Sequence, residues 1–569
     1  MISQRNKWIP PKNIPVSAAK ELSSFSSVLQ SVLFQRGVNT EEKATAFFSR
    51  DTSLQHDPEL MLNIQKAGKL VKSAVDKKHR ICIYGDYDAD GVTGTALLVK
   101  LFRDLGAEVS YFIPHRTESG YGLNQAALDQ ILAAGTNLLI TVDCGITAVD
   151  PIDYAKKKGV KVILTDHHLP GSVLPPADAI LNPNLALDPY PNKHLAGVGV
   201  VYKLSQHLSS YFPNLVPEKF LPLVAIGTVA DVVPLTGENR YLTAAGLKSL
   251  NTPLKLSQGL HSLLGAANLK PGRLSASDIA FQIGPRINAA GRIDDASSAV
   301  ELLLIDSRSK APNAGELALH LNSLNTHRKI ETDKILQHPK ITRICADSAI
   351  PDLIFVVDEE FHPGVVGIAA GKLSSQYHRP VIIGSVKEDK VTASCRSIEG
   401  FDITKALNNF SYLLDKFGGH SAAAGFSTDI SNISSLNEAL KDLVSTDPSL
   451  GDLSPTIQIE AEVELDVISD SLLAELELFE PTGHQNPQPI LFLPGVKASK
   501  IRLLGSNQNH LRFTIQHQKN SLSAIGFGLG ALKPLLTKPV DLLFHLEENI
   551  FRSRRSLQLR VLDIRPTQT

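Results

Sequence analysis

Three short apolar runs in this chain each break off at acidic or imidazole side chains. ICIYG leads into Asp86, Asp88 and Asp90 of GDYDADG, NLLITV into Asp143, and KVILT into Asp166, His167 and His168. Amphipathic stretches such as GTALLVKLFRDLG and AVDPIDYAKKKG lie between them. That alternation predicts βαβ units and a parallel sheet. The runs carry no polar alternation, as strands buried on both faces do not. In open parallel sheets, ligands bind beyond the carboxyl ends of the strands. Three strands therefore bring acids and imidazoles to one edge.

Electrostatics decides what that edge is for. Two carboxylates about 5 Å apart repel by roughly 3 kcal/mol at an effective dielectric near 20. Four or five together must take up protons or bind cations. Carboxylate and imidazole without thiolate suit manganese or magnesium better than structural zinc. So many ligands suit two ions sharing a carboxylate, the arrangement that serves displacement at phosphorus. Strand alternation places Asp88 and Asp90 on one side of an extended segment, and Gly91 permits the turn after them.

The length of 569 residues calls for several domains. Residues 1–75 read as a helical segment, 76–300 as the parallel-sheet domain and 301–345 as a helical connector. Residues 346–450 read as a smaller α/β domain, and 455–569 as an all-β, OB-like barrel built from short alternating runs. The fold class is α/β. LPLVAIGTVADVV reads as a buried helix closed by Pro234, in which Asp231 is a cap or a breaker. A net charge of -1 is compatible with an acidic metal site offset by a basic groove. Four scattered cysteines without a CxxC pair point to a reducing compartment. The N-terminus has no signal-peptide core and no run reaches membrane-spanning length, so a cytoplasmic location is expected.

Basic and glycine-rich positions are candidates for phosphate contacts, although a single surface Arg is more often merely solvated. His115 and Arg116 follow a predicted strand, Arg286 and Arg292 flank a turn containing Asn288, and Ser394 and Arg396 lie in SCRS. The planar fork of Arg matches phosphate with two parallel hydrogen bonds. Gly418, Gly419 and His420 form a turn that either lets backbone approach a phosphate or packs tightly against a helix. LAGVGVVYKL lacks the GK[ST] ending of a P-loop, so ATP use is not supported. Arg552, Arg554, Arg555 and Arg560 make FRSRRSLQLR a basic patch suited to a single strand. Phe513 and Phe527 are read as core side chains in preference to base-stacking ones.

GDYDADGVTGTALL, VDCG, TDHH and GTVADVVPL resemble, in order, the four motifs of the DHH phosphoesterase superfamily. HPGVVGIAAGKL and KFGGHSAAAGF resemble its accompanying DHHA1 domain. PHRTESGYGL, LNPN, RINAAGRIDDA, SCRS and the C-terminal β domain resemble the RecJ branch. At His484 and Gln485 the chain departs from that branch, which has a short residue and a glycine there.

The resemblance implies hydrolysis of single-stranded DNA from its 5′ end to mononucleotides, with two manganese or magnesium ions. It implies metal ligands at Asp88, Asp90, Asp143, His167 and Asp231, with Asp143 bridging and Asp86 a ligand or a neighbour of one. His168 becomes the phosphate-contacting or acid residue. Arg292 meets the scissile or adjacent phosphate, and Arg116, Ser394 and Arg396 hold the 5′ phosphate. Repair and recombination beside a helicase and a single-strand binding protein follow by the same analogy. A small-substrate phosphodiesterase is the competing reading, but such enzymes usually end after DHHA1. Degenerate, non-catalytic relatives have lost the ligands that this chain keeps.

Overall fold

A computed structural model describes residues 6–115, 122–307, 311–346, 350–447, 450, 453–505, 507–517, 520–551 and 554–567. Arg116 and Arg552 lie outside the described residues. The chain forms two compact units. One contains residues 50–331 with the short segment 481–487, and the other contains 1–49, 332–480 and 488–569.

The first unit is built on five parallel strands: β1 (Ile81–Gly85), β2 (Val109–Phe112), β3 (Leu138–Val142), β4 (Lys161–Thr165) and β5 (Ala179–Leu181). Their spatial order is β2-β1-β3-β4-β5. Alternate residues explain why the runs are apolar throughout. Ile81, Ile83, Ile140 and Ile163 face the main core, which also takes side chains from α1 (Ala89–Asp104), α2 (Gly197–Leu208) and α3 (Leu221–Ala230). Cys82, Tyr84, Leu139 and Val162 face a second, smaller core. Strand order reverses between β1 and β3. That switch point is where doubly wound sheets open a crevice, and Asp86 and Asp143 follow those two strands.

Two local expectations change. Asp88 and Asp90 are not on an extended segment. Asp88 is the N-cap of α1 and accepts from the Asp90 and Gly91 N–H groups, and Asp90 sits in the first helical turn. The carboxylate caps the helix, which wins over continuation of the strand. Arg286, Asn288 and Arg292 lie not around a turn but on a helix, α4 (Gly284–Ile293), entered through a π turn over Ile279–Ile283.

In the second unit, strands β6 (Ile354–Asp358), β7 (Val381–Lys387), β8 (Lys390–Arg396), β9 (Lys416–His420) and β10 (Ala423–Asp429) form a sheet in the order β9-β10-β8-β7-β6. Only β6 and β7 pair in parallel. A separate seven-stranded sheet covers Ala461–Pro566. The N-terminal segment is not one element of structure. Leu29, Val32 and Leu33 share a core with Phe513, Phe544 and Ile564 of that sheet, and Lys7–Ile9 pairs in parallel with Thr456–Gln458. Residues 64–76 instead bury Ile64, Ala67 and Val71 in the core of the first unit. Each helix follows its own apolar face, so the division falls near residue 50 and not at 75.

Candidate metal centre

Asp143 occupies the left-handed region at φ 60 directly after β3. Its N–H donates to the Thr165 carbonyl at 3.0 Å, which ties the strained residue to β4. Strain of this kind persists only where its surroundings over-determine it, and it clusters at functional sites. His167, two residues past the end of β4, places Nε2 3.1 Å from Asp143 Oδ1, 3.6 Å from Asp231 Oδ2 and 3.9 Å from Asp90 Oδ2. Asp231 arrives from the C-terminal cap of α3. Ligand atoms of Asp90, His167 and Asp231 form one group within 4.8 Å, and those of Asp86, Asp88 and Asp143 another. Asp143, His167 and His168 form a third, so Asp143 is within reach of both acidic groups.

Two buried atoms here, Asp143 Oδ1 and His167 Nε2, make no hydrogen bond. The His167 ring bonds to the Leu195 backbone, which leaves Nε2 facing the carboxylates. A backbone bond on the other ring nitrogen is what fixes a metal-binding imidazole. Burial, and then His168, hold His167 down to about 4, so its lone pair is open. Burial, and then Asp88, push Asp90 up to about 7. Burial and the neighbouring carboxylates push Asp143 and Asp231 well above the usual carboxylate range. Beside them the Cys144 thiol is also pushed up by burial, so no thiolate joins the set. The donors fit hard divalent ions.

Asp166, the first residue of the triplet, supports its neighbours. Its Oδ1 accepts from the His167 and His168 N–H groups at 2.7 and 3.1 Å, and its Oδ2 from Ile146 at 2.9 Å. The same Oδ1 lies 2.7 Å from His168 Nδ1. Burial opposes charge on His168, but the Asp166 bond and the charges of Asp166, Asp86 and Asp88 together outweigh it and raise the imidazole above its ordinary range. Asn182 and Asn184 donate to the carbonyls of His168 and His167 at 2.8 and 2.6 Å.

Those two asparagines are visible in LNPN without a role. Gly197 and Val198 escape sequence reasoning: their N–H groups, at the start of α2, donate to Asp90 at 2.5 and 2.8 Å. A Cβ on Gly197 would stand 2.7 Å from that of Asp143, and one on Gly227 2.9 Å from Asp90 Oδ1. The glycine-rich stretch that is no nucleotide loop therefore positions two acids.

The phosphate-contact residues divide. Arg286 is buried and donates to the Gln282 carbonyl at 2.7 Å and to Asn322 Oδ1 at 3.1 Å. Asn288 Oδ1 accepts from the Ala89 N–H at 2.7 Å, holding the start of α1. Both are engaged in positioning. A Cβ on Gly291 would meet the Tyr87 carbonyl at 2.5 Å, so α4 lies against the acidic loop beside Arg292. In the second unit, Ser394 Oγ and Arg396 Nη2 each stand 3.2 Å from where a Gly367 Cβ would be. Gly367 lies in the first turn of helix Val366–Tyr377, whose N-terminus adds donors and positive potential. Gly419 is in an edge strand and not a turn. A Cβ there would meet the Ala423 carbonyl at 2.4 Å, and Thr404 Oγ1 donates to the His420 carbonyl at 2.8 Å.

In the C-terminal sheet two arginines of the basic run are paired with acids. Arg560 pairs with Glu547 at 2.5 Å, and Arg555 pairs with Glu548. Exposed charge lies on another hairpin, where Arg502 and Arg512 are direct cross-strand partners. Like charges opposed in this way are destabilising without an anion. Phe513 is core, but Phe527 is 57% exposed, with its ring 5.4 Å from that of His510.

Comparison with known proteins gives three family matches. Residues 80–228 match the DHH family N-terminal domain, 351–446 the DHHA1 domain and 459–563 the RecJ OB domain. The single-stranded-DNA-specific exonuclease RecJ of Escherichia coli (strain K12) is 38% identical over 544 residues, covering 88% of this chain and 90% of that protein. Crystal structures of RecJ from Thermus thermophilus also match. The complex with Mn2+ has a TM-score of 0.84 at 30% identity, covering 99% of this chain and 80% of that one. The complex with Mg2+ has a TM-score of 0.78 at 28% identity, covering 99% and 79%.

Proposed function

Since this chain belongs to the RecJ family of single-stranded-DNA-specific exonucleases, we propose how its own residues carry out that hydrolysis. The enzyme is a divalent-metal-dependent exonuclease of single-stranded DNA. The observation that carries the residue assignment is the convergence of Asp143, Asp231 and Asp90 on His167 Nε2, at 3.1, 3.6 and 3.9 Å. Asp90, His167 and Asp231 would hold one ion and Asp86 and Asp88 a second, with Asp143 the ligand that would be shared. Two manganese or magnesium ions so held supply positive charge against the phosphate oxygens and acidify a bound water.

His168, aimed by Asp166, contacts the phosphate or gives a proton to the leaving oxygen. Arg292 meets the scissile or adjacent phosphate. Ser394 and Arg396 hold a 5′ phosphate, so mononucleotides leave from the 5′ end; Arg116, outside the described residues, is a further phosphate contact. The placement of Ser394 and Arg396 at a helix N-terminus supports this polarity. Gly419 and His420 on the open edge strand offer backbone to the same strand of DNA. Arg286 and Asn288 position the site. The C-terminal sheet binds single-stranded DNA through Arg502, Arg512 and Phe527. The same reading puts the enzyme in recombination and repair in the cytoplasm, beside a single-strand binding protein and a helicase. Among the described residues, no helix is long and apolar enough to cross a membrane.

The test is digestion of strands labelled at either terminus, single and duplex, with manganese, magnesium or chelator. Release of 5′ mononucleotides from single strands, only with metal, is expected. Degradation from the 3′ end overturns the polarity.

A further inference from the structure

Helix α4 and the π turn before it are about half buried: seven of the fifteen positions from Ile279 to Ile293 are not buried, Ala280 and Ile293 near the two ends among them. Between residues 281 and 292 the positions that are not buried are Phe281, Gln282, Pro285, Asn288 and Arg292. Gln282 is tied down, accepting from Arg286 at both its carbonyl and its side-chain oxygen, at 2.7 and 3.3 Å. The other four recur at spacings of four, three and four, which is one stripe along a helix.

One end of that stripe reaches the acidic loop. Asn288 Oδ1 accepts from the Ala89 N–H at 2.7 Å, and Gly291 is pressed against the Tyr87 carbonyl. The other end is Phe281, 73% exposed, in the middle of the π turn. A lone exposed apolar side chain needs no explanation by itself. This one heads the accessible track into the metal centre, on a rare helical distortion that is frequent at functional sites. Seven residues separate Phe281 from Asn288, about 10 Å along a helix at 1.5 Å per residue. At about 3.4 Å per stacked nucleotide, that is roughly three nucleotides.

We propose that Phe281 is a stacking platform for one unpaired nucleobase about three nucleotides from the cleavage site, and so a determinant of single-strand specificity. An aromatic ring needs a free base face. A base inside a duplex has both faces stacked and its edge paired, so it cannot use this ring without leaving the helix. The inference rests on the reading that the acidic cluster cuts single-stranded DNA.

The test uses the full-length, metal-loaded enzyme and oligonucleotides whose linkages resist hydrolysis. A fluorescent base analogue, and separately an abasic nucleotide, is moved along the strand one position at a time. In wild type, one position or two adjacent ones should change fluorescence on binding. An abasic nucleotide there should weaken binding by about 5- to 150-fold, the range for loss of one base–aromatic stack. Phe281→Ala should lose both effects, and Phe281→Trp should keep them. The preference of Phe281→Ala for single strands over duplex should fall by the same factor. If wild type and Phe281→Ala respond alike at every position, the platform is overturned. If wild type neither binds nor cuts single strands, the functional reading fails instead.

Discussion

Asp143 Oδ1 and His167 Nε2 lie 3.1 Å apart, both buried and neither hydrogen-bonded. Two polar atoms held that close without a bond are aimed at a common point. Replacing Asp143 by Asn keeps a side chain that tolerates the left-handed backbone but removes one charge. Cleavage should fall by about a hundred- to a thousand-fold, the scale of losing one fixed electrostatic contact to a transition state. The metal-free protein should melt at a higher temperature, because a repelling carboxylate is gone. A folded variant with near-normal activity would sink the bridging assignment.

Metal binding should release protons. Without ions, Asp90 titrates up near 7, and Asp143 and Asp231 are shifted up as well. Ligation requires their ionised forms. Affinity for manganese should therefore rise with pH through the range around 7 in which Asp90 ionises. Calorimetry in buffers of different ionisation enthalpy should detect net proton release on binding. A pH-independent affinity contradicts the assignment.

Arg396→Ala should discriminate between ends. A charge-assisted hydrogen bond is worth about 1.5 to 3 kcal/mol, so binding of a 5′-phosphorylated strand should weaken by roughly ten- to a hundred-fold. A 5′-hydroxyl strand lacks that partner and should be affected less. Equal losses on both ends would remove the phosphate pocket.

Arg502→Ala and Arg512→Ala should each weaken binding to long strands and lower the salt slope by about 0.7, the value for one phosphate contact with a single strand. Cleavage of very short strands should change little. Salt slopes identical to wild type would show that this hairpin does not meet DNA. Deleting the C-terminal sheet is a poorer test, because Leu29, Val32 and Leu33 would lose their core.

His545 is buried, and its Nδ1 lies 2.7 Å from the Pro489 carbonyl. Burial holds it down to about 4 from 6.5, against that hydrogen bond. The folded value is depressed, so the contribution is complete above 6.5 and is lost as pH falls from 6.5 to 4. The loss should be about 3 kcal/mol, from roughly 1.36 kcal/mol per pKa unit. Denaturant titrations of wild type and His545→Asn across this window should show a steeper decline in wild type.

The parallel sheet and its acidic edge were legible because strands buried on both faces write themselves as unbroken apolar runs. Most candidate ligands stood out because Asp and His are conspicuous after such runs, whereas Asp231, at the end of a buried helix, read as a cap or a breaker and only the resemblance raised it to a ligand. Their supports were not. Gly197, Gly227 and Asn288 act through close approach and backbone bonds between segments distant in sequence, which no local pattern records. The N-terminal helices divide differently from expectation for a related reason: an apolar face announces that it will be buried, not against what. Phe513 and Phe527 show the same limit, one core and one exposed. At the loop 481–487, Gln485 holds φ 57, and the His484 carbonyl accepts from Leu235 at 2.9 Å.

The pairing of Ser26 with Glu475, 449 residues apart, has a consequence during synthesis. At about 5 to 20 residues per second, the first helices leave the ribosome roughly 20 to 90 seconds before their partner strands exist. During that interval Leu29, Val32 and Leu33 have no native surface to cover them. Nascent chains should be vulnerable to chaperone capture or proteolysis there until the last strand is made.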